Sequence, residues 1–355
     1  MVKQRYLALD ALRGLTLAMM ILVNTPGSWS HVYWPLLHAP WHGVTPTDFV
    51  FPFFLFVVGS AMFFSFRSYQ RSSREIPVVK IVRRTLLLFV IGLLLHAYPF
   101  THSLSELRIP GVLQRIALAY GAAAFLCFLA FPFRLLASAF LLAGYWVLFI
   151  AMGSDYSLEG NPVRQLDLWV FGEAHLWHGK GVAFDPEGLL STLPAVVNVL
   201  LGFEITRLLV DSGDSKRRLW IVAVTLVAAG MVWHSWMPLN KYLWTSSFVL
   251  LTSGAAAALL MTFVYLEKSP RVAAVFHGLA IYGKNPLLIY ILAWLWAATL
   301  YRIPVGEINA YQALYTQFTV MSPPRVASLC FALLHVVFFW WLAWLLHRRG
   351  ITVSL

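Results

Sequence analysis

The chain has 355 residues, 60% of them hydrophobic and only 12% charged, with a mean hydropathy of +0.73. Soluble domains carry about a quarter charged residues, so this composition excludes an ordinary soluble protein, and continuous rather than alternating apolar runs exclude a β-barrel. The formal net charge of +11 follows from cytoplasmic loops that collect Lys and Arg and calls for no nucleic-acid partner, while Cys127 and Cys330, both in apolar runs, exclude a disulfide framework and a zinc site.

Ten uncharged or nearly uncharged stretches predict an all-α, polytopic membrane protein: 7–24, 48–67, 80–98, 110–130, 134–152, 190–208, 218–235, 245–266, 278–300 and 325–347. Lengths near twenty residues match the hydrocarbon thickness. No small-residue cleavage site follows the first stretch, so it is expected to stay as a helix. With the N-terminus inside, 17 basic residues, among them Lys3, Arg5 and Arg74, fall on the inner side against 6 on the outer. Arg13, Arg115 and Lys284 remain within spans, which accounts for all 26. This bias predicts that both termini are cytoplasmic.

The first outer loop, about 25–47, holds His31, His38 and His42 among aromatic residues. At its end Thr45, Pro46 and Asp48 read as a helix start, with Thr45 as N-cap, Pro at the first position and Asp at the third. That reading accounts for Asp48 but not for His38, His42 or Trp41. Histidine accepts a proton near neutral pH, and an aspartate beside it can orient the ring and stabilise its charged form. The second outer loop, 153–189, is acidic, and a third reads HSWMPLNKYLWT from His234.

Charged groups within the spans carry a second signal. Asp10 and Arg13 stand one turn apart on the first span, Asn24 closes that span on the outer side, Arg115 follows Gln114 in the fourth, and Lys284-Asn285-Pro286 interrupts the ninth. Charges at such depth cost several kcal/mol and either pair internally or line a ligand path; an Asp10–Arg13 ion pair and a ligand role both remain open. The run RSYQRSSREIPVVKIVRR, from Arg67, reads as a topology signal or an anionic-lipid contact. Arg83 and Arg84 in it can also hold a phosphorylated cofactor.

The stretches RYLALDALRGLTLAMMILVN, LLHAPWHGVTPTDFVFPFFLFVVGS, RIPGVLQRIALAY, DPEGLLSTLPAVVNVLLGFEITR, PLNKYLWTSSFVLLTSG and YGKNPLLIYIL resemble the heparan-α-glucosaminide N-acetyltransferase family, and most closely its bacterial transmembrane glucosamine N-acetyltransferases. The resemblance runs from about Arg5 to the terminal RRGI. It implies one transmembrane acyltransferase domain over 1–355, in a bacterial inner membrane, with membrane lipids around it. It further implies that acetyl passes from cytoplasmic acetyl-CoA to the amine of a glucosamine on the far side, and that the protein forms a homodimer. The family's catalytic histidine falls on His38, its asparagine after the first helix on Asn24, and its T-x-x-D on Thr45 and Asp48. The lysosomal relatives carry a further lumenal segment before the first span, which leads to the expectation of a free or short amino sugar here.

On this reading Asp10, Arg13, Arg83, Arg84, Lys284 and Asn285 are expected to meet acetyl-CoA, and Trp41, His42, Arg115, Lys241 and Trp244 the sugar. His38 acts as base or as acetylated nucleophile, and Asn24 donates to the developing oxyanion. Trp29, Tyr33, Trp34 and Trp41 can stack on a sugar ring. No metal is expected. Two rival classes remain: an O-acyltransferase of envelope polysaccharide, and an amino-sugar transporter, for which an inverted repeat is not found.

Overall fold

The computed structural model describes residues 6–71, 75–101, 103–211 and 215–353. Lys3, Arg5 and Arg74, counted on the inner side, lie outside the described residues. Helices occupy all ten apolar stretches: α1 (Leu7–Asn24), α2 (Val50–Arg71), α3 (Val78–Ala97), α4 (Val112–Leu126) and α5 (Phe131–Ala151) come first. A short α6 (Pro162–Phe171) precedes α7 (Thr192–Asp211), α8 (Ser215–Trp233), α9 (Ser246–Leu266), α10 (Pro270–Tyr282), α11 (Pro286–Leu300), α12 (Ala310–Thr319) and α13 (Pro324–Arg348).

Six helices among the described residues are long and apolar enough to cross a membrane, or seven when α10 and α11 count as one broken span. Much of their surface faces outward: only 22% of the apolar window of α5 and 28% of that of α13 is buried. Phe140, Val224 and Val337 are more than half exposed, an apolar exterior that suits lipid rather than water. The expected continuous ninth span is corrected to two helices bent by 68°. Pro286 has no N–H to donate and pushes Asn285 out of helical geometry, and Asn285 sits at φ −128°.

The described chain forms two compact units. One holds the residues up to Ala39, Thr45–Phe54 and those from Thr262; the other holds Pro40–Val44 and Leu55–Met261. In the first unit α1 packs on α10, α11 and α13 around Leu17, Ile21, Tyr282, Ile289 and Phe339. A Cβ on Gly14 would stand 1.8 Å from the Leu279 carbonyl oxygen, so α1 and α10 touch backbone to backbone, as small residues allow in membranes.

In the second unit α4 packs on α3 and α7, and α7 also on α5 and α8. Two motifs that are distant in sequence lock together there. Arg108, just before α4, donates from Nε and Nη2 to both oxygens of Asp185 at 2.8 Å and from Nη2 to Glu187 at 2.8 Å. Such forked, charge-assisted bonds fix geometry as well as adding energy, so they pin the segment before α7 to the start of α4.

Candidate active site

His38 and Asp48 meet in the first unit. The His38 Nδ1 stands 2.7 Å from Asp48 Oδ1, and the carboxylate is fully buried while the imidazole keeps 34% of its side-chain exposure. The other oxygen, Oδ2, accepts from the backbone N–H of Thr45 at 2.8 Å, the Thr45 hydroxyl at 3.0 Å and the N–H of Ala39 at 3.1 Å. Asp48 therefore serves both roles at once, closing the helix start with one oxygen and holding His38 with the other. An aspartate can only accept in its charged form, so Nδ1 carries the proton and the ring's lone pair lies on Nε2.

Asn24, also in the first unit, is exposed at the end of α1, and its Nδ2 donates to the Met20 carbonyl at 2.8 Å. Asp10 and Arg13 form a half-buried pair at 3.4 Å. At the same end of the unit lies a cavity of about 340 Å³ lined by Leu7, Asp10, His277, Ala280, Ile281, Lys284 and His347. Lys284 Nζ reaches the His347 ring at 3.0 Å. His277 and His347 gave no sequence signal; α10 and α13, both packed on α1, bring them to the cavity with Asp10. Asn285 is not open to a ligand: it is 1% exposed, donates to the Ile351 carbonyl at 2.9 Å and accepts the Val353 N–H at 2.7 Å. Its role is to clasp the C-terminal segment.

The second unit carries the other half of the loop. Trp41 stacks on Tyr242 with centroids 5.3 Å apart, meets Phe184 edge-on and donates from Nε1 to the Tyr156 carbonyl at 2.8 Å. It anchors the loop, with one indole face taken by Tyr242. The Gly43 N–H donates to the Leu239 carbonyl at 2.8 Å, and Asn240 reaches the exposed His42. Asn240 and His234 were missed as site residues although both lie in motif stretches, because nothing local shows that the 240s turn pairs with residue 43.

Arg115 and Trp244, expected at the sugar, are both fully buried. Arg115 bonds Ser191 and the Gly188 carbonyl and lies over the Trp244 ring at 4.8 Å, while Trp244 Nε1 donates to Asn198 at 2.9 Å. They hold the 240s turn from beneath. Lys241 is half-buried, 5.9 Å from the Tyr242 centroid. Arg84 is half-buried over Tyr120 at 4.7 Å and Arg83 is exposed.

Beside this network Asp167, on α6, is fully buried; Oδ1 accepts the Leu189 N–H at 2.9 Å, and Oδ2 has no partner among the described residues. Burial first, and then the charge of Asp185, raises its carboxyl to about 7 from 3.8, against the Leu189 hydrogen bond and the pull of Arg115. Between about pH 4 and 7 the folded protein thus binds a proton that the unfolded chain has lost. Its stability contribution is complete below pH 4 and is lost as pH rises past 7. Asp167→Asn keeps the acceptor for Leu189 and is expected to flatten this fall, with a higher melting temperature at pH 8 than the parent. A pH-melting series on both proteins checks it.

The family profile described as heparan-alpha-glucosaminide N-acetyltransferase, catalytic, matches residues 5–247. The chain belongs to this family. The matched region includes the His38–Asp48 loop and the motif stretches around Arg108, Asp185 and Asn240. The heparan-alpha-glucosaminide N-acetyltransferase of Mus musculus is 27% identical over 352 residues, covering 81% of this chain and 53% of the mouse protein. That of Homo sapiens is 26% identical over 353 residues, covering 81% of this chain and 52% of the human protein. The chain thus spans about half the length of the curated relatives it matches. Helices α9–α13 of this chain lie almost wholly beyond the matched region.

Proposed function

We propose that this chain is a membrane-embedded acetyltransferase that moves acetyl from acetyl-CoA to the amine of glucosamine or a short amino sugar. The observation that carries the reading is the half-buried His38 imidazole fixed by the buried Asp48 carboxylate, in a member of this family. His38 Nε2 takes a proton from the sugar ammonium or from the attacking amine as its lone pair adds to the thioester carbonyl carbon. The carbonyl π pair moves to oxygen, an N–H donor such as Asn24 steadies that charge, and the C–S pair departs with the thiol, which regains a proton. The imidazolium formed on His38 is stabilised by Asp48, as in other base–carboxylate pairs.

The sidedness follows from charge. Ten crossings with both termini cytoplasmic put the His38 loop on the periplasmic face of a bacterial inner membrane and the Asp10–Lys284 cavity on the cytoplasmic face. α1 joins the two: Asp10 and Asn24 stand fourteen residues apart, about 21 Å along a helix. The phosphates of acetyl-CoA then sit in the cavity near Lys284, His277, His347 and Arg13, with the pantetheine arm extended along α1. Lys284→Gln is expected to raise the apparent KM for acetyl-CoA about tenfold, equivalent to ~1.4 kcal/mol, and to leave that for the sugar little changed; steady-state kinetics with both substrates varied checks it. The whole 1–355 chain acts as one transmembrane domain, surrounded by lipid and paired as a homodimer.

Labelled acetyl-CoA offered to the purified protein with a panel of amino and neutral sugars tests the reaction itself. Label is expected as an amide on glucosamine; label as an ester on neutral sugars, or uptake of sugar without transfer, would replace the reading with the O-acyltransferase or the transporter.

A further inference from the structure

In the first unit, the break between α10 and α11 meets the residues that follow α13. α13 closes at Arg348, and the chain then reverses at Gly350, which sits at φ +66°. The Gly350 N–H donates to the His347 carbonyl at 3.0 Å, and the Ile351 N–H to the Leu346 carbonyl at 2.9 Å. These two bonds with a left-handed glycine make a Schellman ending, and the reversal brings Ile351–Val353 to the break. There the Asn285 amide holds them. Its Nδ2 donates to the Ile351 carbonyl at 2.9 Å, and its Oδ1 accepts the Val353 N–H at 2.7 Å. A carbonyl only accepts and a backbone N–H only donates, so both ends of the amide are assigned. In a strand pair, the carbonyl of one residue and the N–H two residues on can bond the same neighbour. The Asn285 side chain takes the place of that neighbour. It is buried, so leaving either end unbonded is costly.

The residue before this clamp, Lys284, lines the cavity with Asp10, His277 and His347. His347 stands in the last turn of α13, and its carbonyl is one of the two that the Schellman ending uses. Lys284 Nζ reaches its ring at 3.0 Å. Neighbouring residues thus serve two tasks: Lys284 and His347 face the cavity, while Asn285 and Ile351–Val353 tie the same two segments together. The packing of α10 on α13 does not depend on that tie. Tyr282 Oη donates to the Val336 carbonyl at 2.7 Å, and Trp340 Nε1 to the Gly278 carbonyl at 2.9 Å.

We infer that Asn285 and the strap Ile351–Val353 are positioning elements of the cofactor site. By fixing the backbone beside Lys284, they hold its ammonium where a phosphate of coenzyme A enters the cavity. The inference rests on the reading that puts those phosphates in this cavity, and deepens it. Asn285 touches no ligand and acts through Lys284. Coupling of this kind is reciprocal. A strap that tightens the hold on coenzyme A is itself held more tightly, by the same factor, once coenzyme A is bound.

The test compares the full chain in nanodiscs with a chain ended after Gly350. Calorimetry is expected to show coenzyme A bound about tenfold more weakly without the strap, while the KM for glucosamine stays unchanged. Hydrogen exchange on the unaltered chain gives the converse and needs no variant to fold. Saturating coenzyme A is expected to slow exchange at the Val353 N–H about tenfold. A Val353 amide that exchanges at the same rate with and without bound coenzyme A would overturn the inference, as would equal affinity in the two chains. Lys284→Gln separates this inference from the reading beneath it. If that substitution weakens coenzyme A binding and loss of the strap does not, the inference alone fails. If neither change alters binding while acetyl transfer persists, the phosphates lie elsewhere, and the placement of the cofactor fails with the inference.

Discussion

His38→Asn is expected to lower kcat about 10³-fold while leaving the protein folded in the membrane. Asparagine places an amide N–H where His38 places Nδ1, so the bond to Asp48 Oδ1 is kept and only the Nε2 lone pair is lost. His38→Ala is expected to lose activity to the same degree, but it also strips a donor from a fully buried carboxylate, at a cost of about 1–3 kcal/mol in stability. Comparing turnover and melting temperature in the two variants separates chemistry from folding. Turnover in His38→Asn near that of the parent would remove His38 from the mechanism.

Asp48→Asn is expected to fall as far, for an electronic rather than a structural reason. Three donors, the N–H groups of Thr45 and Ala39 and the Thr45 hydroxyl, converge on Oδ2. An asparagine must turn its oxygen to those donors and its NH₂ to His38. Nδ1 of His38 then has to accept, the ring proton moves to Nε2, and the base is gone, which corresponds to about 10³-fold or more in kcat. The helix start stays closed, so melting should change far less than activity. A loss of activity that merely tracks melting would leave Asp48 as a cap and nothing more.

Much of the fold is legible in the sequence. Apolar stretches near twenty residues long mark where helices lie, since burial of backbone polar groups in lipid admits little else. The span read over 278–300 contains its own warning in Pro286, whose missing N–H breaks the helix there. α12 escapes notice although Asn309 and Gln312 form a capping box, a short signal beside the apolar runs. Thr45 and Asp48 are readable as a helix start because the spacing is local.

The loop contacts are not readable in this way. His42 and Asn240 are separated by 198 residues, and no periodicity records such a pairing. The same applies to Arg108 with Asp185, 77 residues away. Arg115 and Trp244 look like ligand contacts because charge and aromatic rings suit a sugar. Their burial against Ser191 and Asn198 shows that the same chemistry can serve to hold a turn. A sequence shows which groups are costly to bury; only the fold shows what they are buried against.

The central claim is that acetyl crosses from one face to the other while its carrier stays behind. Sealed vesicles of known orientation, loaded with glucosamine and given labelled acetyl-CoA on the cytoplasmic face alone, test it most directly. The account predicts N-acetylglucosamine in the lumen, with free coenzyme A left outside. Product formed only when both substrates are on the same face would contradict it.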